Sequence, residues 1–186
     1  MGVVSIQEKT NLGKRIKSIH TLGPTGTNCE KAAKLWFERE GINGEVILHK
    51  TLEEAIIQVK NTENSALLGC AVYPKLHNLV FANLAHIELV DSFIIPTYNM
   101  VLAARKETDM HQDCKLASHP APVDLAYTFS DNILLVNSNS QAALDCASGN
   151  ADACITTITA ARKNNLVIIK DFGEVPMCFT LHAKGK

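Results

Sequence analysis

The sequence predicts an α/β fold with a mostly parallel sheet core. Three observations lead there. Short apolar runs of strand length alternate with segments of helical period along most of the chain. Small hydroxyl or amide residues recur where a strand-like run ends and a helical segment begins, which is the N-cap pattern. Gly and Pro close several of the elements, as at Gly41, Pro74, Pro96 and Gly149. Such alternation places parallel strands at the core.

The elements follow in order. Ile16 to Leu22 reads as a strand. Asn28 to Glu40 reads as a helix, with Ala32, Ala33, Leu35, Trp36 and Phe37 as its apolar positions and Gly41 as its stop. Glu45 to His49 is a short strand, and Thr51 caps a helix through Lys60 with Glu54 at the capping-box position. Ala66 to Tyr73 is a buried strand closed by Pro74, and Lys75 after it reads as a loop lysine. Ile87 to Ile95 and Tyr98 to Ala104 are extended runs around Pro96. Lys115 to Ala117 is a strand, and Pro120 opens a helix at its first position. Ile133 to Val136 is a strand, and Asn139 or Ser140 caps a helix that ends at Gly149. Ala153 to Ile155 is a strand, Thr156 or Thr157 caps the next helix, and Val167 to Ile169 and Met177 to His182 complete the set. The first residues read as a loose arm.

Composition narrows the function. The 186 residues suffice for one domain or two small lobes. A net charge of −1 with no Lys/Arg run offers no field for nucleic acid. Aromatics at 5% offer no base-stacking platform. No apolar run reaches bilayer length, so no membrane partner is expected. Residues 1–15 mix Gln7, Glu8, Lys9, Lys14 and Arg15 with isolated apolar residues, so no signal peptide and a cytoplasmic location are expected. The six cysteines form no C-x-x-C pair and no zinc spacing; reduced, mostly buried thiols and no metal are the reading.

Four junctions share one design: Thr25-Gly26-Thr27, Ser118-His119-Pro120, Ser138-Asn139-Ser140 and Thr156-Thr157. Each stands where a strand gives way to a helix. Ligands of open α/β sheets bind at such carboxyl ends, and helix N-termini there suit carboxylates. Capping remains the default reading of any one junction. The first lacks the features of a Walker or dinucleotide loop, but its glycines permit close backbone approach. His119, before a proline at an expected helix start, reads as a neutral imidazole able to accept a proton or bond a carboxylate, or as a capping residue. His77 and Lys75, after the buried strand, are further candidates, with Lys75 more often a solvated lysine. Arg105 suits a carboxylate through a bidentate pair, though a surface role competes.

The Gly23-Pro24-Thr25-Gly26-Thr27 loop, Ser118-His119-Pro120 and the stretch Asn137 to Ala143 together resemble the prephenate dehydratase family from about Ile19 to Ala183. The resemblance implies a two-lobed, periplasmic-binding-protein-like (type II) fold with the active site in a cleft. Its expected parts are an arm over 1–16, a first lobe over 17–96 plus 174–186, and a second over 97–173. Departures are specific. Pro74 is followed by Lys75-Leu76-His77-Asn78 where the family has Pro-x-Glu-Asn-Ser. Met177-Cys178-Phe179 stands in place of the catalytic Thr-Arg-Phe. A regulatory ACT domain is not expected, since the chain stops at Lys186. This set is similar to the non-aromatising prephenate decarboxylases of bacilysin-type natural-product biosynthesis, to which Ser118 to Pro122, Leu135 to Ser138 and Val175 to Met177 also point.

The resemblance implies a carboxy-lyase that removes the ring carboxylate of prephenate and keeps the ring hydroxyl. Thr25, Gly26, Thr27, Ser118, Ser138 and Asn139 are then expected to bind the substrate, joined by Lys75, Arg105, Met177 and Cys178. His119 or His77 is expected to position it or supply a proton, directly or through water. No cofactor is expected, because the ring diene accepts the electrons. Relatives that are often dimers leave a homodimer open. A dehydratase giving phenylpyruvate and a non-catalytic small-molecule binding protein are the alternatives.

Overall fold

The structure is a computed structural model and describes residues 13–185. In chain order its elements are β1 (Ser18–Leu22), α1 (Asn28–Glu40), β2 (Glu45–His49), α2 (Leu52–Asn61), β3 (Ser65–Cys70), α3 (Leu76–Ala82), β4 (Ile87–Pro96) and β5 (Met100–Ala104). They continue with β6 (Leu116–Ser118), α4 (Val123–Tyr127), β7 (Ile133–Leu135), α5 (Asn139–Ala147), β8 (Ala153–Thr157), α6 (Ile158–Lys163), β9 (Val167–Gly173) and β10 (Pro176–Lys184). The chain divides into two compact units, one over Met1–Ile95 with Pro176–Lys186 and one over Pro96–Val175.

The first unit holds a five-stranded sheet in the order β2-β1-β3-β10-β4. β1 runs parallel to β2 and β3, and β10 runs antiparallel to β3. One face packs against α1 through Ile19, Ala33, Trp36, Phe37, Leu68 and Phe179. The other packs against α2 and α3 through Leu52, Ile56, Leu67, Leu76 and Leu79. Trp36 Nε1 donates to Asp91 at 2.8 Å and ties α1 to β4. α1 stops where expected: Gly41 takes φ 64° and its N–H bonds back to the last turn, a left-handed end that glycine adopts at low cost.

The second unit holds a five-stranded sheet in the order β7-β6-β8-β5-β9. β6 is parallel to β7 and β8, and β5 is antiparallel to β8 and β9. Val101, Ala103, Ala117, Ala142, Cys146 and Ala161 fill one face, and Met100, Leu102, Leu116, Ala126 and Ile155 fill the other. The segments by which the chain enters and leaves this unit are bonded together: Thr97 N–H donates to the Val175 carbonyl at 3.0 Å, and Val175 N–H donates to Thr97 Oγ1 at 3.0 Å.

Several expectations need correction. Both sheets are mixed rather than mostly parallel. The antiparallel strands β5 and β10 are each the first strand after the chain passes from one unit to the other, so no crossover helix within the unit sets their direction. The arm expected over 1–16 lies outside the described residues as far as residue 12, and Ile16 is only 1% exposed in the α1-side core. Lys75, expected in a loop, is the N-cap of α3 and makes no side-chain cap bond. Seven residues are too few to show a helical period; tertiary burial of Leu76 and Leu79 forms this helix. The helix expected from Pro120 begins at Val123 with Pro122 as its cap, because a residue before proline, here Ala121, is disfavoured in the α region.

Candidate active site

Topology sorts the candidate residues by edge. β1 and β3 are parallel, so their carboxyl ends lie at one edge of the first sheet. β10 pairs with β3 antiparallel, with Phe179 opposite Cys70, so β10 begins at that same edge. Thr25, Gly26 and Thr27 after β1, Lys75 and His77 after β3, and Met177 and Cys178 at the start of β10 therefore share it. In the second sheet, Ser118 ends β6 and His119 follows it, Ser138 and Asn139 follow β7, and Thr156 and Thr157 end β8. Those three parallel strands place them at one carboxyl edge. Arg105 is at the opposite edge, because β5 runs antiparallel and sets Ala104 opposite Ala153, the first residue of β8.

The loop after β1 is tightly bonded. Thr25 is exposed. Thr27 Oγ1 donates to the Leu22 carbonyl at 3.2 Å and accepts the Glu30 N–H at 3.3 Å, which makes Thr27 the N-cap of α1. Gly26, at φ 88°, donates its N–H to Glu30 Oε2 at 2.5 Å. Glu30 is buried and pairs through Oε1 with Lys34 Nζ, also at 2.5 Å. The Gly26 amide, expected to meet a substrate carboxylate, already meets one from the chain. Glu30 was not among the residues singled out from the sequence. The signal was present, since Thr27-x-x-Glu30 has capping-box spacing.

Lys75 and His77 are exposed, and His77 sits in the first turn of α3. Met177 is half-buried and packs against the α1-side core. The Cys178 carbonyl accepts the Ala71 N–H at 2.9 Å, and its thiol lies 3.9 Å from the Phe179 carbonyl. Neither side chain offers a cation, and Met177 has no proton to give. All six cysteines are free thiols. Burial pushes Cys29 up to about 12 and Cys70 up to about 11, which makes both inert.

In the second unit, Ser118 is fully buried and its hydroxyl donates to the His119 carbonyl at 3.0 Å. His119 is half-buried, and its Nδ1 accepts the Ala121 N–H at 3.2 Å. A ring nitrogen that accepts an amide proton carries none itself, so the neutral ring has its proton on Nε2. Burial lowers the His119 pKa below its ordinary 6.5. The helix dipole expected to do this is not the cause, since α4 starts four residues later. Ser138, rather than Asn139 or Ser140, caps α5 by accepting the Gln141 N–H at 3.0 Å. The Asn139 carbonyl accepts from Thr156 Oγ1 at 2.6 Å, and its amide nitrogen lies 4.0 Å from Met100 Sδ. Asn139 Oδ1 is buried without a protein partner. Thr157 caps α6. The Arg105 guanidinium serves the fold: Nη1 donates to the carbonyls of Cys146 and, at 2.8 Å, Ala151, and Nη2 lies 3.9 Å from Asp152.

The first unit also pairs a buried histidine with a half-buried one, a pair that sequence spacing does not mark. His20 Nδ1 and His49 Nε2 are 2.9 Å apart, with the rings stacked at 5.1 Å. Burial and the neighbouring His49 push His20 down to about 4, and burial lowers His49. His182 lies two strands away in the same row, since Leu67 pairs with both His20 and His182.

No family model matches the chain. A prephenate decarboxylase of Bacillus amyloliquefaciens is 31% identical over 98% of this chain and 95% of its own. One from Bacillus subtilis (strain 168) is 28% identical over 98% of this chain and 94% of its own. Among solved structures, a prephenate dehydratase from Arthrobacter aurescens in complex with L-Phe superposes with a TM-score of 0.68 at 17% identity, over 91% of this chain and 61% of that one. The ancestral amino acid-binding protein AncCDT-1 superposes with a TM-score of 0.53 at 15% identity, over 96% of this chain and 85% of that one. These superpositions establish the fold, a prephenate dehydratase catalytic-domain type within the periplasmic-binding-protein-like class. With nearly a third of its residues shared across almost the full length of both proteins, the chain belongs to the prephenate decarboxylase family.

Proposed function

We propose that this chain decarboxylates prephenate without aromatising it, giving a dihydro-4-hydroxyphenylpyruvate. One observation carries the chemical part of this reading. The start of β10, on the carboxyl edge of the first sheet, presents Met177 and Cys178, neither a cation nor a strong proton donor. Hydroxide is a poor leaving group and departs only with a proton. With no strong donor at these two positions, the ring hydroxyl stays.

The bonds balance without a co-reactant. The bond from the ring to its carboxylate breaks and carbon dioxide leaves. The electron pair spreads over the two flanking ring double bonds, and a proton adds at a ring carbon. Prephenate dianion plus one proton gives carbon dioxide and the product monoanion. The protein has two tasks: to hold the pyruvyl carboxylate while the other departs, and to deliver the proton to one ring face. Ser138, Asn139 and the α5 N-terminus suit the first, a helix of nine residues whose first N–H groups face the carboxyl edge. His119 suits orientation. Its neutral ring donates through Nε2, and a neutral imidazole is a hydrogen-bond donor far more readily than an acid. The proton then comes through water.

The experiment is incubation with prephenate, following carbon dioxide and product by NMR. Carbon dioxide with a retained hydroxyl and a non-aromatic ring supports the reading. Phenylpyruvate above the spontaneous background overturns it, and saturable binding without turnover leaves a binding protein. In the double variant Met177→Thr, Cys178→Arg, phenylpyruvate is expected among the products. Unchanged products there would remove these two positions from control of the hydroxyl.

A further inference from the structure

The loop that follows β1 is closed by a carboxylate of the chain itself. Glu30, 8% exposed, stands in the first turn of α1. One of its oxygens holds the Gly26 N–H and the other holds Lys34, each at 2.5 Å. Thr27 completes the arrangement by bonding both the Glu30 N–H and the Leu22 carbonyl. Gly26 sits at φ 88° with nothing within 4 Å of where a side chain would be. A glycine with that freedom is ordered here by its hydrogen bond. The N-terminus of α1 is also the place where an outside anion would ordinarily settle. Glu30 supplies that anion internally, and Lys34 offsets its charge.

We propose that Glu30 is a positioning residue for the decarboxylation: it fixes the Gly23–Thr27 loop in one conformation and withholds the Gly26 amide from the substrate's carboxylates, so that the loop meets the substrate through Thr25. This rests on the prephenate reading above. Its chemical sense lies in the charge of the substrate. Prephenate carries two carboxylates, and the reaction needs one of them weakly held. A loop amide already engaged by Glu30 does not stabilise the departing group, and the loop still keeps its shape.

The test compares Glu30→Ala, Glu30→Gln and Thr51→Ala. Thr51 caps α2 in the same way that Thr27 caps α1, by accepting the N–H three residues on, and serves as a control for stability alone. Glu30→Ala is expected to lower kcat about tenfold with the KM for prephenate unchanged or lowered. Glu30→Gln keeps an oxygen for the Gly26 N–H and is expected to return kcat to within about threefold of the parent. Thr51→Ala lowers Tm and leaves kcat alone. A Glu30→Ala protein with lowered Tm and parental kcat would show a helix cap and nothing more, and would overturn the proposal. A second readout needs no turnover. The Gly26 amide resonance, bonded to a charged carboxylate, is expected far downfield in the parent, to stay bonded in Glu30→Gln and to collapse toward random-coil values in Glu30→Ala. An unmoved Gly26 resonance overturns the role of Glu30 whatever the substrate is. Absence of prephenate turnover in the parent overturns the functional reading instead.

Discussion

The imidazole of His119 is held in one state by a hydrogen bond and by burial. The Ala121 N–H claims Nδ1, and burial lowers the pKa below 6.5. The neutral ring is therefore the working form at neutral pH, and protonation appears only in acid. The dependence of kcat/KM on pH is expected to be flat from 8 down to about 6.5 and to fall below it. A His119 acting as the acid would give the reverse, with activity lost as pH rises through its pKa. His119→Ala should lower kcat/KM by about a hundredfold, and parental activity in that variant would end its assignment. Arg105 is the counter-example at the same scale. Its sequence context, a cation after a strand, fits a carboxylate clamp, yet the antiparallel direction of β5 places it at the opposite edge from Ser118 and Asn139. There it satisfies two carbonyls near the end of α5. Arg105→Ala should cost about 1–3 kcal/mol of stability by leaving those carbonyls without a donor, with KM for prephenate unchanged. A raised KM at parental stability would restore it to the site.

Among the elements, α3 shows most clearly how packing creates structure where local sequence is silent. Its seven residues lack a capping side chain and a legible period. What holds it is contact between Leu76 and the backbone of β3, where Gly69 provides the room. A Cβ at Gly69 would lie 2.4 Å from Leu76 Cδ1. Gly69→Ala is expected to destabilise by about 1–3 kcal/mol through overpacking, read as a lower urea midpoint with the same slope. Parental stability would mean that α3 shifts without cost. α1 and α2 behave differently. Their caps, Thr27 and Thr51, and the Gly41 stop are readable from residue type alone, because capping chemistry is local. The capping signal at α5 is ambiguous in the sequence, since Ser138, Asn139 and Ser140 are all competent caps and only the backbone decides among them.

For the whole molecule, four buried or half-buried histidines set the response to acid. His20, His49, His182 and His119 all have lowered pKa values, with burial as the leading cause. Around the His20–His49 pair, Glu54 of α2 acts in the opposite sense on His49, and His182 bonds Thr180 on its own strand. Unfolded histidines take protons near 6.5, and the folded ones resist until lower pH, about 4 for His20. The unfolded state thus binds more protons across that window. Stability is complete above 6.5 and is lost as pH falls through it toward 4. Urea unfolding at several pH values between 7 and 4.5 should show this decline, and His20→Leu should make it shallower. An equal slope in that variant would remove His20 as a contributor.

The sequence by itself determined the alternation of strands and helices, the capped ends of α1 and α2, and the junction loops that match the family. All of these depend on neighbours within a few residues. Tertiary structure alone decided which candidates share an edge. Strand direction is set by pairing between segments far apart in the chain, so the antiparallel entry of β5 removed Arg105 from the carboxyl edge of the second sheet, and that of β10 brought Met177 and Cys178 to the carboxyl edge of the first. It likewise decided that the Gly26 amide is engaged by Glu30 and that His20 meets His49 across two strands. A hydrogen bond has one geometry, and residue type names only the groups able to make it.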